Sequence, residues 1–110
     1  WLVQELDYRH WRLWEAKEFW ADKGGSALVT KPSELFKRQI YANFMDDPVG
    51  LTARYHIGVD NILFETDYPH SDTTFPNSRQ IVEQRFKDIP PNETRKIVRD
   101  NAIRLFGLDQ

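Results

Sequence analysis

The stretch ILFETDYPHSD, Ile62–Asp72, breaks an apolar run with acids, a proline and a histidine. Glu65, Asp67, His70 and Asp72 stand directly behind a segment that reads as a buried strand. A plain surface turn needs only a breaker and one polar residue. On a strand alternate side chains share a face. Leu63, Glu65 and Asp67 therefore fall on one side, and Ile62, Phe64 and Thr66 on the other. The apolar pair Ile62 and Phe64 suits a face covered by helices. Glu65 and Asp67 are then expected on the opposite face, with Asp67 at the strand's C-terminal end.

The flanking segments supply the frame. Leu2, Val3, Leu6, His10 and Leu13 lie at helical spacing, which predicts a helix from about Leu2 to Ala21, stopped by DKGG at Asp22–Gly25. His10 reads as a packed, hydrogen-bonded histidine on that stripe. Trp11, Trp14 and Trp20 are too many for one helix face, so some are expected to cover a neighbour. KPSELFKRQ, Lys31–Gln39, predicts a short helix with proline in its first turn. IYANF, Ile40–Phe44, predicts a strand. DDPVGLTARYHIG, Asp46–Gly58, predicts a helix capped by Asp47, with Pro48 at its first position and Gly58 as its stop. NILFET, Asn61–Thr66, is the second strand. Two helices follow, over FPNSRQIVEQRF (Phe75–Phe86) and PPNETRKIVRDNAIRLFG (Pro90–Gly107). In the last, Ile97, Val98, Asn101, Ala102, Leu105 and Phe106 form the expected buried stripe. An amide on such a stripe must find partners, so Asn101 is expected to pin the turn between strand and helix.

Strand–helix–strand order predicts a parallel pair with a helical crossover, right-handed as such crossovers are. Two strands do not complete a parallel sheet, which has both faces covered. The expected fold is α/β: the C-terminal segment of a (β/α)8 TIM barrel, its last two strands and their helices, within a fold of ~250 residues. Residues 1–110 are then the C-terminal portion of one barrel domain. The chain opens on Trp1 inside a helical pattern, which also suggests part of a longer protein. Barrel enzymes build their sites at the C-terminal rim. There an inward Asp67 can bind a divalent ion or accept a proton from metal-bound water. It can equally cap the TDYPHSD turn by accepting backbone N–H bonds. The residues alone leave both readings open. Asp46 and Asp47 close the other strand at the same rim; Asp47 reads as the cap, and Asp46 as a residue that can orient another at the rim. His56, near a helix end, reads as solvated.

Bulk properties narrow the class. The 110 residues are 40% hydrophobic and 29% charged, enough for a core and unlike a disordered chain. A net charge of -2 gives no basic surface for nucleic acid. No apolar run is long enough to span a membrane and no signal peptide is visible, so a cytoplasmic protein is expected. Without cysteine there are no disulfides or thiolate metal sites. Three histidines make a complete metal site hard to assemble from this chain alone.

GVDNILFETDYPHSDTTFP followed by RKIVRDNAIRLFGL resembles the C-terminal end of the amidohydrolase-related, metal-dependent TIM-barrel enzymes, relatives of aminocarboxymuconate semialdehyde decarboxylase. KPSELFKRQIYANFMDDPVG resembles that family's segment around strand seven. The resemblance covers nearly the whole chain and is most specific in TDYPH and NAIRLFGL. It implies that Asp67 matches the family's metal-ligating Asp after strand eight. It also implies a divalent metal, zinc, in the full-length parent, and hydrolysis or decarboxylation of a small organic substrate. Asp67 and His70 are the expected catalytic residues, and Asp67 the expected metal ligand. His70 sits beside the site, either on the substrate or holding the loop, with Glu65 near the metal. The family's remaining ligands, a His-x-His pair on the first strand and a His near strand five, and its catalytic His belong to upstream segments. His10, His56 and His70 do not occupy those places. The 110 residues alone are therefore expected to be inactive. Expected partners are a small-molecule substrate and either a second copy or the missing half-barrel. The alternative is a non-catalytic interaction fragment that pairs its open sheet with another chain.

Overall fold

The computed structural model describes residues 2–15 and 30–108. The chain divides into two compact units, Trp1–Ile40 and Tyr41–Gln110.

In the first unit, helix α1 spans Leu2–Glu15 and helix α2 spans Pro32–Gln39. The expected continuation of α1 to Ala21 and its glycine stop lie outside the described residues, as do the side chains of Trp14 and Trp20. Lys31 heads α2 without a side-chain cap. Asp7 of α1 supplies it instead: its Oδ1 accepts from the Ser33 N–H at 2.8 Å. This satisfies one of the donors that every helix start leaves open. Asp7 sits between Val3 and His10 on the half-buried side of α1, whereas Leu2, Leu6 and Leu13 are exposed. The stripe expected from spacing is thus split. The capping contact fixes which face of α1 meets α2, one residue round from the leucines. Trp11 is exposed and lies 6.0 Å from Tyr8, ring centre to ring centre.

The second unit holds a two-stranded sheet, β1 (Ala42–Phe44) and β2 (Ile62–Phe64). The strands are parallel, with Ala42 opposite Ile62, Asn43 opposite Leu63 and Phe44 opposite Phe64. The expected pairing is found, in strands shorter than the apolar runs. One further bond, Glu65 N–H to the Phe44 carbonyl at 3.1 Å, closes the ladder. The crossover begins with helix α3, Pro48–Thr52, capped by Asp47 as expected. Asp47 Oδ1 accepts from the N–H groups of Val49 and Gly50, each at 2.9 Å. The single helix expected up to Gly58 is broken at Ala53, and helix α4 covers Arg54–Ile57. At the break the Leu51 carbonyl accepts from the Ala53 N–H and, at 3.0 Å, from the Arg54 guanidinium. Gly58, at φ 109°, ends α4 and leads through a 3-10 turn, Val59–Asn61, into β2.

Helix α5 spans Ser78–Arg85. The last helical run is α6 (Pro91–Arg95), a wide π turn (Lys96–Asp100) and α7 (Asn101–Phe106), stopped by Gly107 at φ 63°. In the π turn the Asn101 N–H reaches back five residues to the Lys96 carbonyl. Leu51, Ile62, Phe86 and Ile97 form the core, with Phe44, Phe64, Val82 and Val98 packed around them. Phe44 meets Phe64 edge-on at 6.0 Å and stacks on Phe86 at 6.1 Å. Asn101 is fully buried, and its Nδ2 donates to the carbonyls of Val59 and Ile62, both at 2.8 Å. The expected pin is therefore found. The expected stripe is only partly found, because Leu105 and Phe106 are exposed. Phe106, five residues past Asn101, lies about 140° further round the helix and so away from β2. Leu105 lies on the β2 side, and nothing among the described residues covers it fully. No helix among the described residues is long and apolar enough to cross a membrane.

Candidate functional site

Ile62, Phe64 and Phe44 face the core, so alternation puts Asn43, Leu63 and Glu65 on the opposite face of the sheet. Glu65 lies there as expected. Asn43 Nδ2 donates to its Oε2 at 2.5 Å. The alternation does not carry on to Asp67. Pairing stops at Glu65, and Asp67 takes a left-handed backbone at φ 57°. Aspartate tolerates that conformation better than most residues. Asp67 thus opens the loop rather than continuing the strand.

The loop is tied to the end of β2. The Thr66 carbonyl accepts from the Thr74 N–H at 3.1 Å and from Thr73 Oγ1 at 2.5 Å. Thr73 Oγ1 in turn accepts from the Phe75 N–H at 3.1 Å. The Thr74 and Ser78 hydroxyls bond at 2.8 Å, which links the loop to the first turn of α5. The peptide bonds before Pro69 and Pro76 are cis. Tyr68 and Phe75, both exposed, bring their rings to 4.8 Å of each other on this loop.

Asp67 and His70 come together here. The His70 N–H donates to the Asp67 carbonyl at 2.8 Å, closing a tight turn. His70 Nδ1 lies 3.5 Å from Asp67 Oδ2, with the histidine side chain 65% and the aspartate 48% exposed. The Asp72 N–H also donates to His70 Nδ1, at 3.2 Å. His70 thus holds the loop through Nδ1, with most of its side chain exposed. Asp67 keeps both carboxylate oxygens off the backbone: the turn uses its carbonyl. His10 is half-buried and has an interaction partner within the structure. His56 is exposed at the end of α4, as expected.

At the end of β1, Asp46 makes a two-point ion pair with Arg85 of α5, Oδ1 to Nε at 2.5 Å and Oδ2 to Nη2 at 3.1 Å. The Arg85 hydrogen bonds hold the Asp46 carboxyl below the ordinary aspartate range. Asp46 is thus tied to Arg85 of the helix layer. Nothing in the local sequence marked Arg85 or Asn43 as partners. The one available signal for Asn43 was an amide inside the strand run IYANF, in phase with Glu65.

The sequence profile of the amidohydrolase family matches residues 5–108. The chain belongs to the amidohydrolase family. No curated protein matches it closely enough to count as a relative. Amidohydrolases commonly bind metals. In this amidohydrolase chain, Asp67 offers one half-exposed carboxylate on a braced turn. No group of three or more His, Asp or Glu that could hold a metal ion exists among the described residues. A zinc site normally takes three or four protein ligands. The described residues therefore bring together no complete set of zinc ligands.

Proposed function

We propose that this amidohydrolase chain forms the last two strands, with their helices, of a (β/α)8 barrel enzyme related to aminocarboxymuconate semialdehyde decarboxylase. The proposed enzyme hydrolyses or decarboxylates a small organic molecule. One observation carries the reading: Asp67 stands just past the end of β2, with a half-exposed carboxylate that accepts no backbone N–H among the described residues and lies 3.5 Å from His70 Nδ1. The parallel β1–β2 pair with its helical crossover supports the barrel, because such pairs recur around that fold. Asp67 is the proposed metal ligand, with the other ligands supplied by segments outside these residues. A bound zinc would supply Lewis acidity and a water acidic enough to react near neutral pH. His70 braces the loop through Nδ1, which also lies beside Asp67. Glu65 is held on the uncovered face of the sheet.

The test is Asp67→Asn in the full-length enzyme. The substitution keeps size and one oxygen but removes the charge. Bound zinc should fall, and turnover on small esters or carboxylic acids should drop by at least ~10²-fold. The melting temperature should stay near that of the parent. Full zinc content with normal turnover would refute the ligand role. A lowered melting temperature with unchanged specific activity would instead make Asp67 a turn residue.

A further inference from the structure

β1 places an amide, Asn43, between Ala42 and Phe44, in a strand that otherwise packs apolar side chains. It is exposed on the face opposite the core, and its Nδ2 holds Glu65 Oε2 at 2.5 Å. The Glu65 backbone is fixed as well, by its N–H bond to Phe44. Both the main chain and one carboxylate oxygen of Glu65 are thus set by β1. The other oxygen, Oε1, takes no hydrogen bond among the described residues. Fixing a long acidic side chain costs rotamer freedom, which an exposed cross-strand pair returns only in part. Strand stability is therefore a weak reason for this pair. Pre-orienting a carboxylate two residues before Asp67 is a stronger one.

We propose that Asn43 is a positioning residue, and that Glu65, held by it, takes an N–H or O–H group of the substrate through Oε1. The inference rests on the barrel reading, in which this face lines the interior. An ionised carboxylate only accepts hydrogen bonds, and the Asn43 Oδ1 beside it is also an acceptor. The pair therefore favours substrates that bring a hydroxyl, amine or amide N–H to this side. It disfavours substrates that bring a second carboxylate there.

The test uses the full-length, zinc-loaded enzyme with Asn43→Ala, Glu65→Gln, Glu65→Ala and the Asn43→Ala/Glu65→Ala double variant. Bound zinc should be unchanged in all four. Glu65→Ala and Glu65→Gln should raise KM about 10-fold, the size of one lost hydrogen bond to a charged group, with a smaller change in kcat. Asn43→Ala should raise KM less, and the double variant should match Glu65→Ala, because Asn43 acts only through Glu65. Additive effects, loss of zinc or an unchanged KM would overturn the proposal. Absence of zinc-dependent turnover in the parent would defeat the barrel-enzyme reading instead. A second measurement then decides on the pair alone. Acetamide should shift the Asn43 side-chain amide resonances, N,N-dimethylacetamide should not, and Glu65→Ala should abolish the difference. Equal responses to the two amides in the parent would overturn the proposal.

Discussion

The Asn101 side chain and the Ile62 carbonyl, 39 residues apart in sequence, meet at 2.8 Å in a fully buried position. The same Nδ2 holds the Val59 carbonyl, so one amide fixes the entry of β2 at two points. Two backbone acceptors lose the Asn101 donor if it goes. Asn101→Leu should destabilise the protein by about 2–4 kcal/mol, since unpaired buried carbonyls each carry a desolvation penalty. Urea unfolding of the two proteins, compared at equal slope, checks this. A loss under half a kcal/mol would show that the carbonyls find other partners.

Gly50 bears on the cap of α3. A Cβ built there would stand 2.7 Å from Asp47 Oδ2 and 3.2 Å from its Cγ. Glycine to alanine inside a helix ordinarily gains up to about 1 kcal/mol. Here the gain is opposed by displacement of the capping carboxylate, itself worth about 1 kcal/mol. Gly50→Ala should therefore be neutral or destabilising in the parent and stabilising in an Asp47→Ala background. Thermal melts of the four proteins give the cycle, and a stabilising Gly50→Ala in the parent would contradict it.

Glu93 predicts a pH dependence. It accepts from Arg54 Nε at 2.7 Å and from the Tyr55 hydroxyl at 2.9 Å, tying α6 to α4. The Arg54 bond holds the Glu93 carboxyl below the ordinary glutamate value in the folded protein. A depressed folded value stabilises above the unfolded value, and that stabilisation is lost as pH falls through the folded one. Stability should thus decline on the acid side of the ordinary glutamate range. Glu93→Gln should flatten that part of the curve. Melting temperatures from pH 7 down to pH 3 check the slope; an unchanged profile would exclude Glu93 as its source.

Asp67 combines a left-handed backbone with a half-exposed carboxylate beside His70, and glycine separates the two properties. Asp67→Gly removes the side chain and suits φ 57°. We expect stability within about 1 kcal/mol of the parent, in either direction. Zinc retention by the full-length enzyme should be lost together with turnover. Retained zinc in a stable Asp67→Gly protein would move the ligand elsewhere.

The β1–crossover–β2 unit was legible because its punctuation is local. Asp47 and Pro48 start α3, Gly58 ends α4, and the two apolar runs read as strands. The Asn101 pin was legible because an amide on an apolar stripe demands partners. The break at Ala53 was not, since no glycine or proline stands there to mark it. Strand parity placed Glu65 correctly but could not foresee the left-handed turn at Asp67. Period-two reasoning holds only while the ladder lasts. Arg54–Glu93 and Asp46–Arg85, each spanning 39 residues, are tertiary pairings that no local pattern encodes. For the same reason the Asn43–Glu65 contact needed the strand register before it could be seen.

The wide turn at Lys96–Asp100 bears on how this stretch tolerates change of length. Each helical residue advances the chain by about 100°. Deleting one residue from KIVRD would close the wide turn to ordinary winding and leave α7 facing as before, so Asn101 should still meet the Val59 and Ile62 carbonyls. The same deletion inside α7 would re-aim every residue beyond it. Among natural variants, loss of one residue should therefore be tolerated at this turn and not in the regular helix that follows.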